Sequence, residues 1–97
     1  MQSSPVGKGG KTGYFGIVGV IKSGRQLYRV RLWFEGVDFW IGCYPTPEIA
    51  ARVADTAYRL GTGGPPMAGY NFDGQPPPEV PESVIRQALV RKKILRR

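Results

Sequence analysis

Ninety-seven residues carry 14 Lys and Arg against 7 Asp and Glu, giving a net charge of +7, with 41% hydrophobic residues and no His. That length fits one small domain with tails, and the positive balance favours polyanionic partners. The absence of His, the single Cys43 and the scattered carboxylates exclude His-based triads, His metal sites, Cys-rich zinc fingers and a paired acid/base site, so no enzyme, metal or cofactor is expected.

Residues 1–12 read as a flexible basic arm, in which Lys8 and Lys11 are candidates for non-specific phosphate contacts. Gly10-Lys11-Thr12 looks like the end of a phosphate loop, but Pro5 stands where the opening Gly belongs, and a strand rather than a helix follows. The arm has no apolar signal-peptide core, and no run nears the roughly 20 residues that span a bilayer. A reducing, intracellular compartment is expected, with neither a membrane nor a small-molecule substrate as partner.

Three strand-like runs follow. Tyr14–Ile21 is rich in β-branched and aromatic residues, and Lys22-Ser23-Gly24-Arg25 is a turn. Leu27–Phe34 alternates, with Tyr28, Val30 and Leu32 on one face and Arg29, Arg31 and Trp33 on the other. Glu35-Gly36 is a tight turn. Val37–Gly42 puts Val37, Phe39 and Ile41 on one side and Asp38 and Trp40 on the other. Connections this short predict an antiparallel meander.

A helix then begins, with Thr46 as N-cap, Pro47 in the first position and Glu48 near the positive dipole end. Ile49, Val53, Ala57 and Leu60 recur at helical spacing beside an Ala50-Ala54 row, Asp55 and Arg59 are spaced as an i,i+4 pair, and Gly61 is the stop signal. Small side chains let that helix lie close to the sheet. After a loop over 61–69, Tyr70-Asn71-Phe72 returns towards the core, with Asn71 expected to bond backbone and lock the sheet to the helix. Pro76-Pro77-Pro78 marks an extended linker. Ser83–Ile94 reads as a second helix with Val84, Ile85, Ala88 and Leu89 on one stripe, ending in a basic tail whose Arg91, Lys92 and Lys93 could touch phosphates. The fold class is α+β: a three-stranded antiparallel sheet packed on one α-helix, plus a C-terminal helix. The organisation expected is an arm (1–12), a β-β-β-α domain (13–73), a Pro-rich linker (74–82) and a basic C-terminal helix and tail (83–97).

The order of these landmarks resembles the ethylene-response-factor (Apetala-two) family. Tyr14-Phe15-Gly16-Ile17 is similar to its Tyr-Arg-Gly-Val opening, Trp40-Ile41-Gly42-Cys43-Tyr44 to Trp-Leu-Gly-Thr-Phe, and Asn71-Phe72 to its closing Asn-Phe. Thr46–Ala57 resembles the family helix Thr-x-Glu-Glu-Ala-Ala-x-Ala-Tyr-Asp-x-Ala. The resemblance spans residues 14–72 and implies a double-stranded DNA-binding domain of a nuclear transcription regulator, its sheet entering the major groove. It diverges on that face: family arginines are replaced at Phe15, Val18, Val20, Trp33 and Asp38, and a family glutamate by Arg31, while Trp40 is kept.

The residues expected to touch DNA are Lys22, Arg25, Arg29, Arg31, Trp33 and Trp40, with Phe15, Val18, Val20 and Asp38 as further sheet-face contacts. A second reading stays open. Five large apolar groups on one sheet face exceed what a monomer usually leaves wet. A protein-interaction module, or an RNA-binding accessory subunit, would cover that face with the C-terminal helix or with a partner chain.

Overall fold

Alternating apolar residues and two short turns produce an antiparallel sheet of β1 (Ile17–Lys22), β2 (Arg25–Phe34) and β3 (Val37–Tyr44), in the spatial order β1-β2-β3. The computed structural model describes residues 13–34, 36–67 and 69–95. Expectations attached to residues 1–12, Lys8 and Lys11 among them, and to Glu35, Arg96 and Arg97 lie outside the described residues. Ser23 (φ 52°) and Gly24 (φ 76°) close the β1–β2 hairpin; positive φ at both positions gives the turn the twist that antiparallel strands require.

β1 starts later than its apolar run suggested, because Tyr14, Phe15 and Gly16 form a turn instead of extending the strand. Gly16 has φ +82°, and its carbonyl accepts the Arg31 N–H at 2.9 Å. A Cβ there would stand 3.1 Å from the Arg31 carbonyl oxygen. Gly16→Ala is therefore expected to lower stability by about 1–2 kcal/mol, the left-handed penalty of an L-residue, which a thermal melt would register as a clear drop in midpoint.

Helix α1 (Pro47–Thr62) follows β3 and lies chiefly across the central strand β2. Thr46 Oγ1 accepts the Ile49 N–H at 3.1 Å, as its cap position requires. Its stop is Gly63 (φ 87°), two residues beyond the expected Gly61. Gly61 instead marks a close approach, since a Cβ there would lie 3.0 Å from Cγ2 of Ile94. The buried Ala50, Ala51, Ala54 and Ala57 bring α1 down onto Ile17, Val30, Leu32 and Ile41 of the sheet.

The second helix, α2 (Glu82–Arg91), is shorter than the 83–94 run. Its chain reverses at Lys93 (φ 64°), with the N–H groups of Ile94 and Leu95 both donating to the Leu89 carbonyl. Ile85, Ala88 and Leu89 join the core beside α1, together with Val80. Val84, expected on the same stripe, is exposed because α2 packs along one narrow side only. Arg59 ties the two helices together, donating from Nη2 to Glu82 at 2.7 Å and from Nε to the Gly74 carbonyl at 2.8 Å. That pairing, then Arg86, holds the Glu82 carboxyl below its ordinary range.

Asp55 does not form the expected helix pair with Arg59. Its buried carboxylate accepts the N–H groups of Asn71 at 2.8 Å and Phe72 at 2.6 Å. Asn71 in turn brackets Phe15, accepting its N–H at 2.8 Å and donating Nδ2–H to its carbonyl at 3.0 Å. One buried carboxylate thus joins α1, the 70–72 segment and the turn leading into β1.

Candidate nucleic-acid interface

Strand alternation fixes which side chains face away from α1. Val18 lies opposite Arg29, Arg31 opposite Trp40, Trp33 opposite Asp38 and Lys22 opposite Arg25. The register slips between Val30 and Arg31: Val30 pairs with Gly42 and Arg31 with Trp40, leaving Ile41 as the extra residue of a bulge. Ile41 turns into the core while Trp40 stays on the outer face, between two arginines.

The Arg29 guanidinium lies 4.9 Å from the centre of the Trp40 ring, and that of Arg31 lies 5.9 Å from it. Cation–π attraction orders all three side chains on the surface. Arg31 also forms a two-point ion pair with Asp38, Nε to Oδ1 at 2.8 Å and Nη2 to Oδ2 at 3.0 Å. This carboxylate, by hydrogen bond and charge, keeps the guanidinium protonated above its ordinary range. Lys22 and Arg25 stand exposed at the hairpin end of the same face. Among the described residues of the strands, these four cations face the single carboxylate of Asp38, so the surface is positive.

Trp33 is 56% exposed, and Trp40 and Val18 are 38% exposed each. No element of the described chain covers them. The C-terminal helix was one expected cover, but α2 packs on α1 and reaches the sheet only at β3, on the core side. Its Ile85, Ala88 and Leu89 are buried in that core. The backbone beneath Trp33 is pinned from the other side, its N–H donating to the Tyr58 hydroxyl at 3.0 Å.

The expected site residues do not all share this surface. Val20, Asp38 and the six residues named first as DNA contacts lie on the outward side. Phe15 does not. It lies in the turn before β1, on the side of the buried Ile17 and not of Val18 and Val20, and packs against the core with its ring 6.3 Å from that of Tyr58. Arg91, Lys92 and Lys93 are exposed at the end of α2, in the helical layer. Nearby, burial pushes the Tyr44 phenol above its ordinary value, against a smaller opposing effect of Arg91.

Two features of the surface escaped the sequence reading. The Arg31–Asp38 pair was legible in principle, since a tight turn near residues 35–36 sets Asp38 opposite Trp33 and hence diagonal to Arg31. The Arg29–Trp40 stack depends on the bulge, whose one local signal is Gly42 inside the β3 run.

The chain is similar to an ethylene-responsive transcription factor of Arabidopsis thaliana, 35% identical over 77 residues. The similarity covers 69% of this chain and 38% of that protein, so the chain spans well under half the length of the curated relative it matches. No family model matches the chain, and no solved structure does.

Proposed function

The chain contains a domain of the ethylene-response-factor (Apetala-two) type, and from that premise we propose that it is the double-stranded DNA-binding module of a nuclear transcription regulator, docking its sheet in the major groove. The observation that carries this reading is the open, positive sheet face on which Arg29 and Arg31 flank Trp40. A ribbon of antiparallel strands fits the width of the major groove, and its outward side chains reach base edges. Lys22 and Arg25 contact phosphates at the hairpin end, which gives affinity without sequence choice. Arg29 approaches a phosphate or a guanine with its guanidinium preordered by the Trp40 ring. Trp33, Val18 and Val20 supply apolar contact to sugars or thymine methyl groups. In this reading residues 13–73 are the DNA-binding unit, and Lys8, Lys11, Arg91, Lys92 and Lys93 add non-specific grip.

The test is duplex affinity measured across a salt series for the full chain and for Arg29→Ala. Loss of one phosphate contact is expected to weaken binding and make the log–log salt slope shallower by about 0.9. An unchanged affinity and slope would count against docking through the sheet. The exposure of Trp33 and Val18 favours one rival, in which the same face binds another protein. That rival leaves the chain without salt-dependent duplex affinity.

A further inference from the structure

The Arg31–Asp38 pair does more than lower the charge of the face. Asp38 takes Nε and Nη2 of Arg31, which is the side edge of the guanidinium. The end edge, formed by Nη1 and Nη2, makes no hydrogen bond among the described residues. That end edge offers two parallel N–H donors, the pattern that matches the O6 and N7 acceptors of guanine. Trp40, directly opposite Arg31 on β3, lies under the same guanidinium and limits its swing. A guanidinium held in one plane by a carboxylate on its side edge and an aromatic ring below is preorganised for a planar, two-point acceptor.

The charge balance points the same way. An unpaired arginine on a DNA-facing surface is drawn to the nearest phosphate, whatever the sequence. A guanidinium already neutralised by a carboxylate loses much of that attraction, and the carboxylate itself is repelled by the phosphate backbone. The pair is therefore poor at sequence-independent binding and suited to a base edge.

We propose that Asp38 is a specificity-determining positioning residue: by holding the side edge of Arg31 it keeps that arginine off the phosphates and presents its end edge to a guanine. This rests on the duplex-binding reading above. Asp38 and Arg31 are both substantially exposed, at 37% and 46% of their side chains, so the pair can be altered without disturbing the core.

The experiment is selection of bound duplexes from a random pool, together with salt-series affinities, for the full chain, Asp38→Asn and Asp38→Glu. Asp38→Asn keeps the shape but removes the charge, so Arg31 becomes an ordinary phosphate ligand. Affinity for random duplex should rise, and the salt slope should steepen by about 0.9. Preference for guanine at one position of the selected site should fall roughly tenfold, the order of one two-point base contact. Asp38→Glu, which can still hold the side edge, should retain most of the preference. Duplex binding by the unaltered chain, with slope and base preference unmoved in Asp38→Asn, would overturn the role of Asp38 and leave the duplex-binding reading intact. Failure of the unaltered chain to bind any duplex would overturn both.

Discussion

Replacing Asp55 by Ala is expected to destabilise the chain by about 2–4 kcal/mol, because hydrogen bonds to a charged group count for more than neutral ones and the donors left behind lose their partner. Asp55 is 2% exposed and its carboxylate accepts two backbone N–H groups, those of Asn71 and Phe72. The loss would spread beyond the pair. Asn71 brackets both backbone groups of Phe15, whose turn leads into β1, and the Phe72 ring lies 5.5 Å from Tyr14 and 4.1 Å below the Arg52 guanidinium. Untying the 70–72 segment therefore loosens the start of the sheet as well as the outer edge of α1. A thermal melt of the full chain should show a midpoint lower by roughly 10 °C or more. Asp55→Asn keeps one acceptor and one comparable volume, so it should fall between the two. A melt of Asp55→Ala within a degree of the unaltered protein would mean that the loop is held by something else.

Trp40→Ala is the substitution expected to damage binding most while leaving the fold nearly intact. The ring is 38% exposed and sits on the face away from the core, so its removal opens no internal cavity. Its contribution is to two other residues: it orders Arg29 at 4.9 Å and Arg31 at 5.9 Å, and it offers apolar surface between them. Ala would release the Arg29 guanidinium into many rotamers, which docking would then have to order again, and would leave Arg31 held by Asp38 alone. Immobilising such a side chain costs about 0.5–1.5 kcal/mol, and the apolar contact of the ring is lost as well, so duplex affinity should drop by roughly tenfold. The check is a binding isotherm beside a melt of the same variant. A large fall in melting temperature with unchanged affinity would reverse the roles assigned here, making Trp40 structural and not an organiser of the surface.

The layered α+β architecture was readable because its signals are local. Alternation in β2, the Thr46-Pro47-Glu48 start and the alanine row each follow from backbone geometry and side-chain size over a few residues. The three-stranded sheet with α1 behind it agrees with that reading, and so does the role of Asn71 as a backbone lock. What the sequence hid depends on distant partners. Asp55 and Arg59 have ideal spacing for a helical ion pair, yet each finds a better-placed partner outside the helix, in the 70–74 segment and at Glu82. Gly61 looked like a helix stop because its other use, room for Ile94, lies more than thirty residues downstream. Phe15 was placed on the outer face by resemblance, as the counterpart of a family arginine, whereas it lies in the turn before β1 and packs against the core. On the sheet surface, parity alone put Arg29, Arg31, Trp33, Asp38 and Trp40 on one side, but the contacts among them arise from the bulge and the β2–β3 register.

Amide chemical-shift mapping of the isotope-labelled full chain, titrated with duplex DNA, tests sheet docking most directly. Docking through the outward face requires the largest shifts at Val18, Arg29, Arg31, Trp33 and Trp40, with Ile85, Ala88 and Leu89 of α2 nearly still. Shifts gathered instead around Arg91, Lys92 and Lys93, with the strands unmoved, would contradict it.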